Sequence, residues 1–189
     1  MRIRHDLAWS WSGQEGYDLH DALRYACSVL HPQSYLEIGV DGGGSLKTVL
    51  ESSAVSRLVL CDRWDAGYCG HGFANHAHIW PLLTASVSSV RFLDGDSTVL
   101  LADWNEVFDL VTVDGGHQEQ VAAIDLTNGW DLLRVGGILA FDDVGHADYP
   151  DLGNVLRHFL ERRPEASLIP ETLAPWRNTA LLIKEAASA

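Results

Sequence analysis

The sequence predicts an α/β domain built on a doubly wound, mostly parallel sheet. Three observations favour this fold: short apolar runs recur along the chain, helical patterns separate them, and the final segment breaks the alternation. Strands that alternate with helices form parallel sheets through right-handed crossovers. We therefore expect a single domain, with residues 1–29 as an N-terminal helix and lid and residues 30–189 as the core.

Five apolar runs are predicted as the parallel strands. They show little alternation of apolar and polar side chains, which is typical of strands covered on both faces. In chain order the runs are 34–40, 57–62, 90–96, 108–115 and 136–143.

Helical patterns precede the first run and separate the others. The predicted helices are 15–29, 45–53, 75–87, 97–104, 117–133 and 149–162. The tail then supplies two strands, at 166–170 and 178–184, with no helix between them. We expect these two strands to form an antiparallel pair at the sheet edge.

The composition is that of a globular protein with an acidic surface. The 189 residues are 47% hydrophobic and 21% charged, and the formal net charge is −13. Such a surface repels phosphate backbones, so we expect no nucleic acid partner. No apolar run approaches the roughly 20 residues that span a bilayer, no secretory signal is evident, and the three cysteines lack metal-like spacing. We expect a cytoplasmic, reduced protein with no membrane partner.

Acidic residues follow the predicted strands in succession. The strand ends carry Glu37, Asp62, Asp94 with Asp96, Asp114, and Asp142 with Asp143. In an open α/β sheet, ligands bind beyond the carboxyl ends of the strands. Solubility needs charge anywhere on the surface, so it does not predict this placement.

The segment EIGVDGGGSL, residues 37–46, follows the first strand and opens a helix. Glycines in such a turn let the backbone approach a ligand. The dinucleotide fingerprint fails because Asp41 or Lys47 occupies a required position, and a phosphate-binding loop fails because Ser45 stands where lysine is needed. The acids of the loop favour a ligand with little phosphate. A turn that merely needs glycine is the alternative.

Two further acids suit a nucleoside. Asp62 ends the second strand, where a carboxylate can hold ribose hydroxyls. Asp96 lies near the end of the third strand, where a carboxylate could accept a hydrogen bond from an adenine amino group. Either acid alone is unremarkable, but with the glycine loop they outline a nucleoside pocket.

The ordered segments EIGVDGGGS, LCD, FLDGDS, FDLVTVDGGH and LLRVGGILAFDDV resemble the class I S-adenosylmethionine-dependent methyltransferases over about residues 30–185. The resemblance implies a Rossmann-like sheet of seven strands whose last strand is antiparallel, with S-adenosylmethionine as cofactor. The cofactor contacts that it implies are Glu37, Gly39 and Gly43 at the methionine part, Asp62 at the ribose, and Asp96 with Ser97 at the adenine.

Asp41 departs from the commonest class I pattern, which has glycine at that position. The run GVDGGGSL is closer to the G-x-x-x-G-G-S variant of antibiotic-tailoring and sugar methyltransferases. This likeness adds Ser45 to the expected cofactor contacts.

In this fold the fourth and fifth strands are neighbours, so Asp114, Asp142 and Asp143 would converge beside the transferred methyl group. Three oxygen ligands suit Mg²⁺ or another hard divalent cation, which would orient a substrate hydroxyl and lower its pKa. The segment DGGH followed by DD is similar to metal-dependent O-methyltransferases of macrolide sugars. That likeness implies His117 as the base that takes the hydroxyl proton, and Asp114 as a catalytic residue and cofactor contact as well as a metal ligand.

The leading hypothesis is methyl transfer from S-adenosylmethionine to a hydroxyl of a small molecule, a sugar or natural product, assisted by a divalent metal. A metal-free methyltransferase of another acceptor and a catalytically idle binding module are the alternatives. Under those alternatives Asp114 and Asp142 serve only the adenosyl pocket, and His117 has no catalytic role. The sequence leaves the oligomeric state open.

Two segments carry histidine and tryptophan outside these motifs. The segment CGHGFANHAHIW, residues 69–80, lacks the H-x-x-x-H step of a helical zinc pair. We expect an aromatic-lined loop over the active site there, rather than a second metal site. The segment WSWSGQEG, residues 9–16, is a candidate lid, although its tryptophans could equally pack on the sheet.

Overall fold

The computed structural model describes residues 19–65, 75–169 and 178–186. Within these ranges the strands are β1 (Ser34–Ile38), β2 (Arg57–Asp62), β3 (Ser89–Asp94), β4 (Phe108–Val113), β5 (Leu133–Phe141), β6 (Ala166–Leu168) and β7 (Ala180–Lys184). The α-helices are α1 (Leu19–Leu30), α2 (Gly44–Ser52), α3 (His76–Ile79), α4 (Ser97–Leu100), α5 (Glu119–Asp131) and α6 (Leu152–Arg162). The tryptophan segment 9–16 and residues 69–74 of the histidine segment lie outside the described residues.

The strands form one sheet in the order β3-β2-β1-β4-β5-β7-β6. Strands β1 to β5 are parallel, whereas β7 runs antiparallel to both β5 and β6. This arrangement confirms the predicted doubly wound sheet and the antiparallel pair at its edge. The chain moves outward from β1 to β3 and then returns to the other side of β1 as β4. The switch point, where such sheets bind ligands, therefore lies between β1 and β4.

The central strands β1, β2 and β4 are buried on both faces, as is typical of parallel strands, whereas β3 at the sheet edge is more exposed. Along β1, Leu36 and Ile38 pack in a core that includes the apolar sides of α5 and α6. Tyr35 points to the opposite face, into a second core with α1 and α2. Covering β1 on both sides leaves its carboxyl end as the place where it can meet a ligand.

The helix predicted over 75–87 is wrong in its extent. Only the short helix α3 forms, and a 3₁₀ turn over Trp80–Leu82 follows it. Pro81 lies in this turn, lacks a backbone N–H and cannot continue an α-helix. The helix predicted over 97–104 is also shorter, because it ends at Leu100 and gives way to a turn.

No α-helix within the three described ranges combines the length and the apolar character that a membrane crossing needs.

Gly39 closes the carboxyl ends of β1, β2 and β4 into one unit. Its N–H donates to the Cys61 carbonyl at 2.9 Å, and the Asp114 N–H donates to the Ile38 carbonyl at 2.8 Å. Its φ is +84°, and a Cβ there would overlap the carbonyl oxygen of Asp114. Only glycine combines this conformation with so close an approach. The absent side chain is therefore what lets the loop after β1 touch the loop after β4.

We expect Gly39→Ala to lower the free energy of unfolding by about 3 kcal/mol or more, because backbone strain and a clash with fixed backbone add together. Gly136→Ala is the matched control, since Gly136 has a similar φ of +77° but would meet only the Arg134 side chain. Left-handed strain alone should cost that variant about 1 kcal/mol. Urea unfolding of both variants measures the difference, and equal losses would show that the close approach does not matter.

Candidate active site

A cavity of about 840 Å³ lies over the carboxyl ends of β1, β2, β4 and β5. Its lining is strongly acidic. The carboxylates on its wall are Asp41, Asp62, Asp65, Asp96, Asp114, Asp142 and Asp143. Five of the predicted strand-end acids, Asp62, Asp96, Asp114, Asp142 and Asp143, share this cavity, whereas Glu37 and Asp94 do not line it. Of the other predicted site residues, Gly39, Ser45, Ser97 and His117 also line it.

Glu37 does not line the cavity. It is fully buried beneath α2, where the Ser45 hydroxyl donates to its Oε1 atom. Burial raises the pKa of Glu37 to about 8, although hydrogen bonds from Ser45 and Tyr35 oppose this shift. The expected contact between Glu37 and the methionine part stays a prediction, and the structure links Glu37 to the cavity through Ser45. Ser45 faces the cavity and Glu37 holds Ser45 from below.

Gly43 is likewise buried rather than part of the cavity wall. It precedes α2 with a φ of +78°, and a Cβ there would lie 2.8 Å from the Ile79 side chain and 2.7 Å from that of Leu82. The glycine therefore lets residues 76–82 pack on the loop. The expected contact of Gly43 with the methionine part stays a prediction.

Asp62 holds the glycine loop by its backbone. Its Oδ2 atom accepts from the N–H groups of Val40 and Asp41, at 2.6 and 2.9 Å. Its Oδ1 atom accepts from the N–H of Trp64 at 2.6 Å. Each carboxylate oxygen has a second lone pair, so Asp62 can support the loop and still accept from a ligand.

Asp96 lies at the entrance to α4, at the edge of the cavity. Its carboxylate caps this helix by accepting from the Thr98 N–H at 2.9 Å and from the Thr98 hydroxyl at 2.7 Å. These hydrogen bonds lower the pKa of Asp96 below its ordinary value. A charged acceptor therefore stands beside Ser97, where the adenine was expected.

Asp125 was missed by the sequence reasoning. It is fully buried on α5, and its Oδ2 lies 3.1 Å from where a Cβ on Gly115 would be. Burial raises its pKa to about 6, while an interaction with the Ser97 hydroxyl opposes the shift. The available signal was an acid on the helix face that also carries Ala122 and Leu126. A buried acid at that position supports the cavity wall from behind.

Asp114, His117 and Asp143 form a compact group at the β4–β5 end of the cavity. One potential ligand atom from each lies within 4.8 Å of the others. The closest pair is His117 Nε2 and Asp143 Oδ2, at 2.9 Å. Burial raises the pKa of Asp114 well above its ordinary value, and the nearby Asp142 and Asp143 add to the effect. Such crowding of carboxylates favours a bound cation or a shared proton.

The imidazole of His117 is held from a second direction. Its ring stacks on that of Tyr149, with centroids 3.8 Å apart and an interplanar angle of 9°. Tyr149 lies in the loop after β5, and sequence reasoning assigned it no role. Residues of this loop therefore contact His117 at its edge, through Asp143, and at its face, through Tyr149.

Asp142 lines the cavity but does not join this group among the described residues. The Thr179 hydroxyl donates to its Oδ1 atom and so turns the carboxyl toward β7. The ligand set of Asp114, Asp142 and Asp143 stays a prediction, and the structure places His117 beside Asp114 and Asp143 as well.

The described part of the histidine segment forms an aromatic cluster. His76 stacks on Phe92 with centroids 4.1 Å apart, and its Nε2 atom lies 2.9 Å from Asp94 Oδ1. The Trp64 indole donates to the same oxygen at 2.9 Å. His71 lies outside the described residues, and within them no group of metal ligands contains His76 or His78.

The family comparison decides what kind of enzyme this is. A family model described as a methyltransferase domain matches residues 36–144, from β1 to the loop after β5. The chain belongs to this methyltransferase family. The match confirms the resemblance to class I S-adenosylmethionine-dependent methyltransferases and the prediction of a methyl-transferring enzyme.

Solved structures of methyltransferases share the fold. The O-methyltransferase TomG from Streptomyces achromogenes, in complex with S-adenosylmethionine, is 20% identical with a TM-score of 0.59, over 88% of this chain and 79% of its own. CalS11, a TDP-rhamnose 3′-O-methyltransferase of calicheamicin biosynthesis, is 20% identical with a TM-score of 0.60, over 87% and 76%. The O-methyltransferase NovP is 18% identical with a TM-score of 0.62, over 89% and 78%. No curated protein sequence matches the chain.

We expect Asp125 to make the stability of this methyltransferase fall as the pH rises. Its folded pKa of about 6 lies above the ordinary 3.8, so its contribution is full below 3.8 and is lost as the pH rises through 6. At pH 8 that pKa shift lowers the free energy of unfolding by about 3 kcal/mol relative to low pH. The stability of Asp125→Asn relative to wild type should therefore improve by about that amount from pH 4 to pH 8.

Asp109→Asn is a control of opposite sign. Partial burial of Asp109 is outweighed by hydrogen bonds from Arg134, Gln33 and Ser34, which lower its pKa. The relative stability of that variant should worsen over the same pH range. Chemical unfolding at both pH values measures the two trends, and a pH-independent Asp125→Asn difference would contradict the first.

Proposed function

We propose that this methyltransferase transfers the methyl group of S-adenosylmethionine to a hydroxyl of a small molecule, a sugar or natural product, with help from a divalent metal. The observation that carries the proposal is the group of Asp114, His117 and Asp143 at one end of the cavity. It combines ligands for a cation with a base for a hydroxyl proton. The O-methyltransferases that share the fold, among them TomG and the sugar methyltransferase CalS11, support this substrate class.

The cofactor would lie along the switch point between β1 and β4. In this placement its methionine part adjoins Gly39 and Ser45, its ribose adjoins Asp62, and its adenine adjoins Asp96 and Ser97. These five residues line one continuous cavity. The many carboxylates of that wall suit a sulfonium cation better than a phosphate. The transferable methyl group would then point toward Asp114.

The residues at the other end fit a hard or borderline divalent cation. Asp114 and Asp143 supply carboxylate oxygens, and Asp142 stands beside them with one oxygen engaged by Thr179. Close carboxylates that repel each other are stabilised by a cation. When bound, Mg²⁺ or a similar ion would orient the acceptor hydroxyl and lower its pKa.

His117 is proposed as the base that takes the hydroxyl proton. Asp143 has two oxygens, so one could face the cation while the other lies 2.9 Å from Nε2 of the imidazole. A carboxylate in that position would offset the positive charge that proton transfer places on the ring. Stacking on Tyr149 restricts the plane of the ring, which lowers the number of orientations open to His117.

Calorimetric titration with S-adenosylhomocysteine tests the cofactor placement. We expect binding to wild type in both Mg²⁺ and EDTA, and a loss of about tenfold or more in Asp62→Ala, because hydrogen bonds to a charged group are worth about 1.5–3 kcal/mol. Asp65→Ala is the matched control on the same cavity wall. A larger loss of affinity in Asp65→Ala than in Asp62→Ala would indicate that the ribose lies at Asp65. Absence of binding to wild type would contradict the cofactor assignment.

Methyl-transfer assays across a panel of sugar and phenolic hydroxyl acceptors test the metal. With an acceptor that wild type methylates, we expect Asp143→Asn to lose Mg²⁺-dependent turnover by about 100-fold, because the variant removes a ligand charge and the partner of His117. Affinity for S-adenosylhomocysteine should stay within about threefold, since cofactor binding uses other contacts. Asp148→Asn, an exposed acid of the same loop, is the control. Turnover by wild type that is unchanged in EDTA would support a metal-free methyltransferase instead.

A further inference from the structure

His20 is a cavity residue that belongs to none of the methyltransferase motifs. It lies in the first turn of α1 and lines the cavity beside Gly44 and Ser45. A Cβ on Gly44 would lie 3.4 Å from His20 Cε1 and 3.9 Å from its Nε2. The Cε1–Nε2 edge of the imidazole therefore lies over the start of α2.

A buried hydroxyl fixes the orientation of this ring. His20 Nδ1 lies 2.7 Å from Thr48 Oγ1, and the Thr48 hydroxyl donates to the Gly44 carbonyl at 3.2 Å. The hydroxyl has a single hydrogen, so it accepts from His20 and Nδ1 carries a proton. The Nε2 atom is then the nitrogen that remains for the cavity.

The start of α2 suits an anion. Gly43 gives this nine-residue helix no side-chain cap, and the positive end of the helix dipole lies there. The carboxyl of Glu37 lies beneath, but burial raises its pKa to about 8, so it is largely uncharged at neutral pH. A carboxylate near Ser45 is thus repelled less strongly than one beside the aspartates of the other walls.

S-adenosylmethionine presents such a carboxylate in a cavity lined by seven aspartates. The basic side chains on the described wall are His20, Arg63, His117 and His146. Arg63 follows Asp62 at the expected ribose end, and His117 lies with Asp143 at the expected metal end. His20 alone among these four adjoins Ser45, where the methionine part is placed.

We propose that the His20 imidazolium binds the α-carboxylate of S-adenosylmethionine through Nε2–H, with Thr48 holding the ring. The inference rests on the proposed cofactor placement and adds a residue from α1 to it. The helix that precedes the sheet thereby becomes part of the cofactor site. A charge-assisted hydrogen bond of this kind also distinguishes the intact cofactor from nucleosides that lack the amino acid.

Three ligands test the contact by calorimetry: S-adenosylhomocysteine, its decarboxylated analogue, and 5′-methylthioadenosine, which lacks the amino-acid end. We expect His20→Phe to lower the affinity for S-adenosylhomocysteine by about tenfold or more. Its affinities for the other two ligands should stay within about twofold, since neither has the carboxylate. His158→Phe, on the exposed side of α6, should change none of the three.

Thr48→Val provides a second variant that leaves the imidazole in place. It removes the hydroxyl that orients the ring, and we expect a loss of about threefold for S-adenosylhomocysteine alone. Thermal unfolding of each variant shows whether the fold is intact. An equal loss for all three ligands would show a structural role and overturn the proposal. A loss shared by S-adenosylhomocysteine and its decarboxylated analogue would place His20 at the ammonium group and also overturn it.

Failure of this proposal is distinguishable from failure of the proposed function. Wild type that binds none of the three ligands would contradict the cofactor itself. Wild type that binds S-adenosylhomocysteine, together with a His20→Phe variant of equal affinity, would overturn only the role of His20.

Discussion

The contact between Gly39 and the backbone of Asp114 brings the two halves of the site together. The chain leaves the sheet centre after β1 and returns as β4, so its two loops meet only if the strand ends can touch. The missing side chain and the positive φ of Gly39 allow that approach. Asp62 then fastens the same loop to the end of β2 through two backbone hydrogen bonds. The Asp62 end and the Asp114–Asp143 end thereby line one cavity instead of two surfaces.

That cavity gathers carboxylates whose mutual repulsion works against folding. Burial raises the pKa of Asp114, and the nearby Asp142 and Asp143 raise it further. Burial also raises the pKa of Asp125, which lies behind the cavity wall. Groups held in this state destabilise the empty protein and favour ligands that supply positive charge. A sulfonium cofactor and a divalent cation are two such ligands. The proposed use of both ligands is therefore consistent with the crowding of carboxylates around the cavity.

Several side chains act through their neighbours. Glu37 reaches the cavity by holding Ser45, Thr48 orients His20, and Asp143 with Tyr149 fixes His117. Each arrangement joins residues from different elements at one edge of the sheet. A site of this kind holds its reacting groups in place before the ligand arrives, which is how enzymes limit the entropy that a reaction must lose.

By itself the sequence determined the doubly wound, mostly parallel sheet, the antiparallel pair in the tail and the acids at the strand ends. Those features follow from local apolar periodicity and from the rule that parallel strands place their carboxyl ends at one edge. Only the tertiary structure decided which partner each acid takes. Thr179 donates a hydrogen bond to Asp142, Glu37 turns beneath α2, and Asp125 is buried behind Gly115. His20 and Tyr149 likewise reach the cavity from elements that carry no motif. Such pairings join residues far apart in the chain, and no local pattern encodes a contact whose distance is set by the packing of the whole domain.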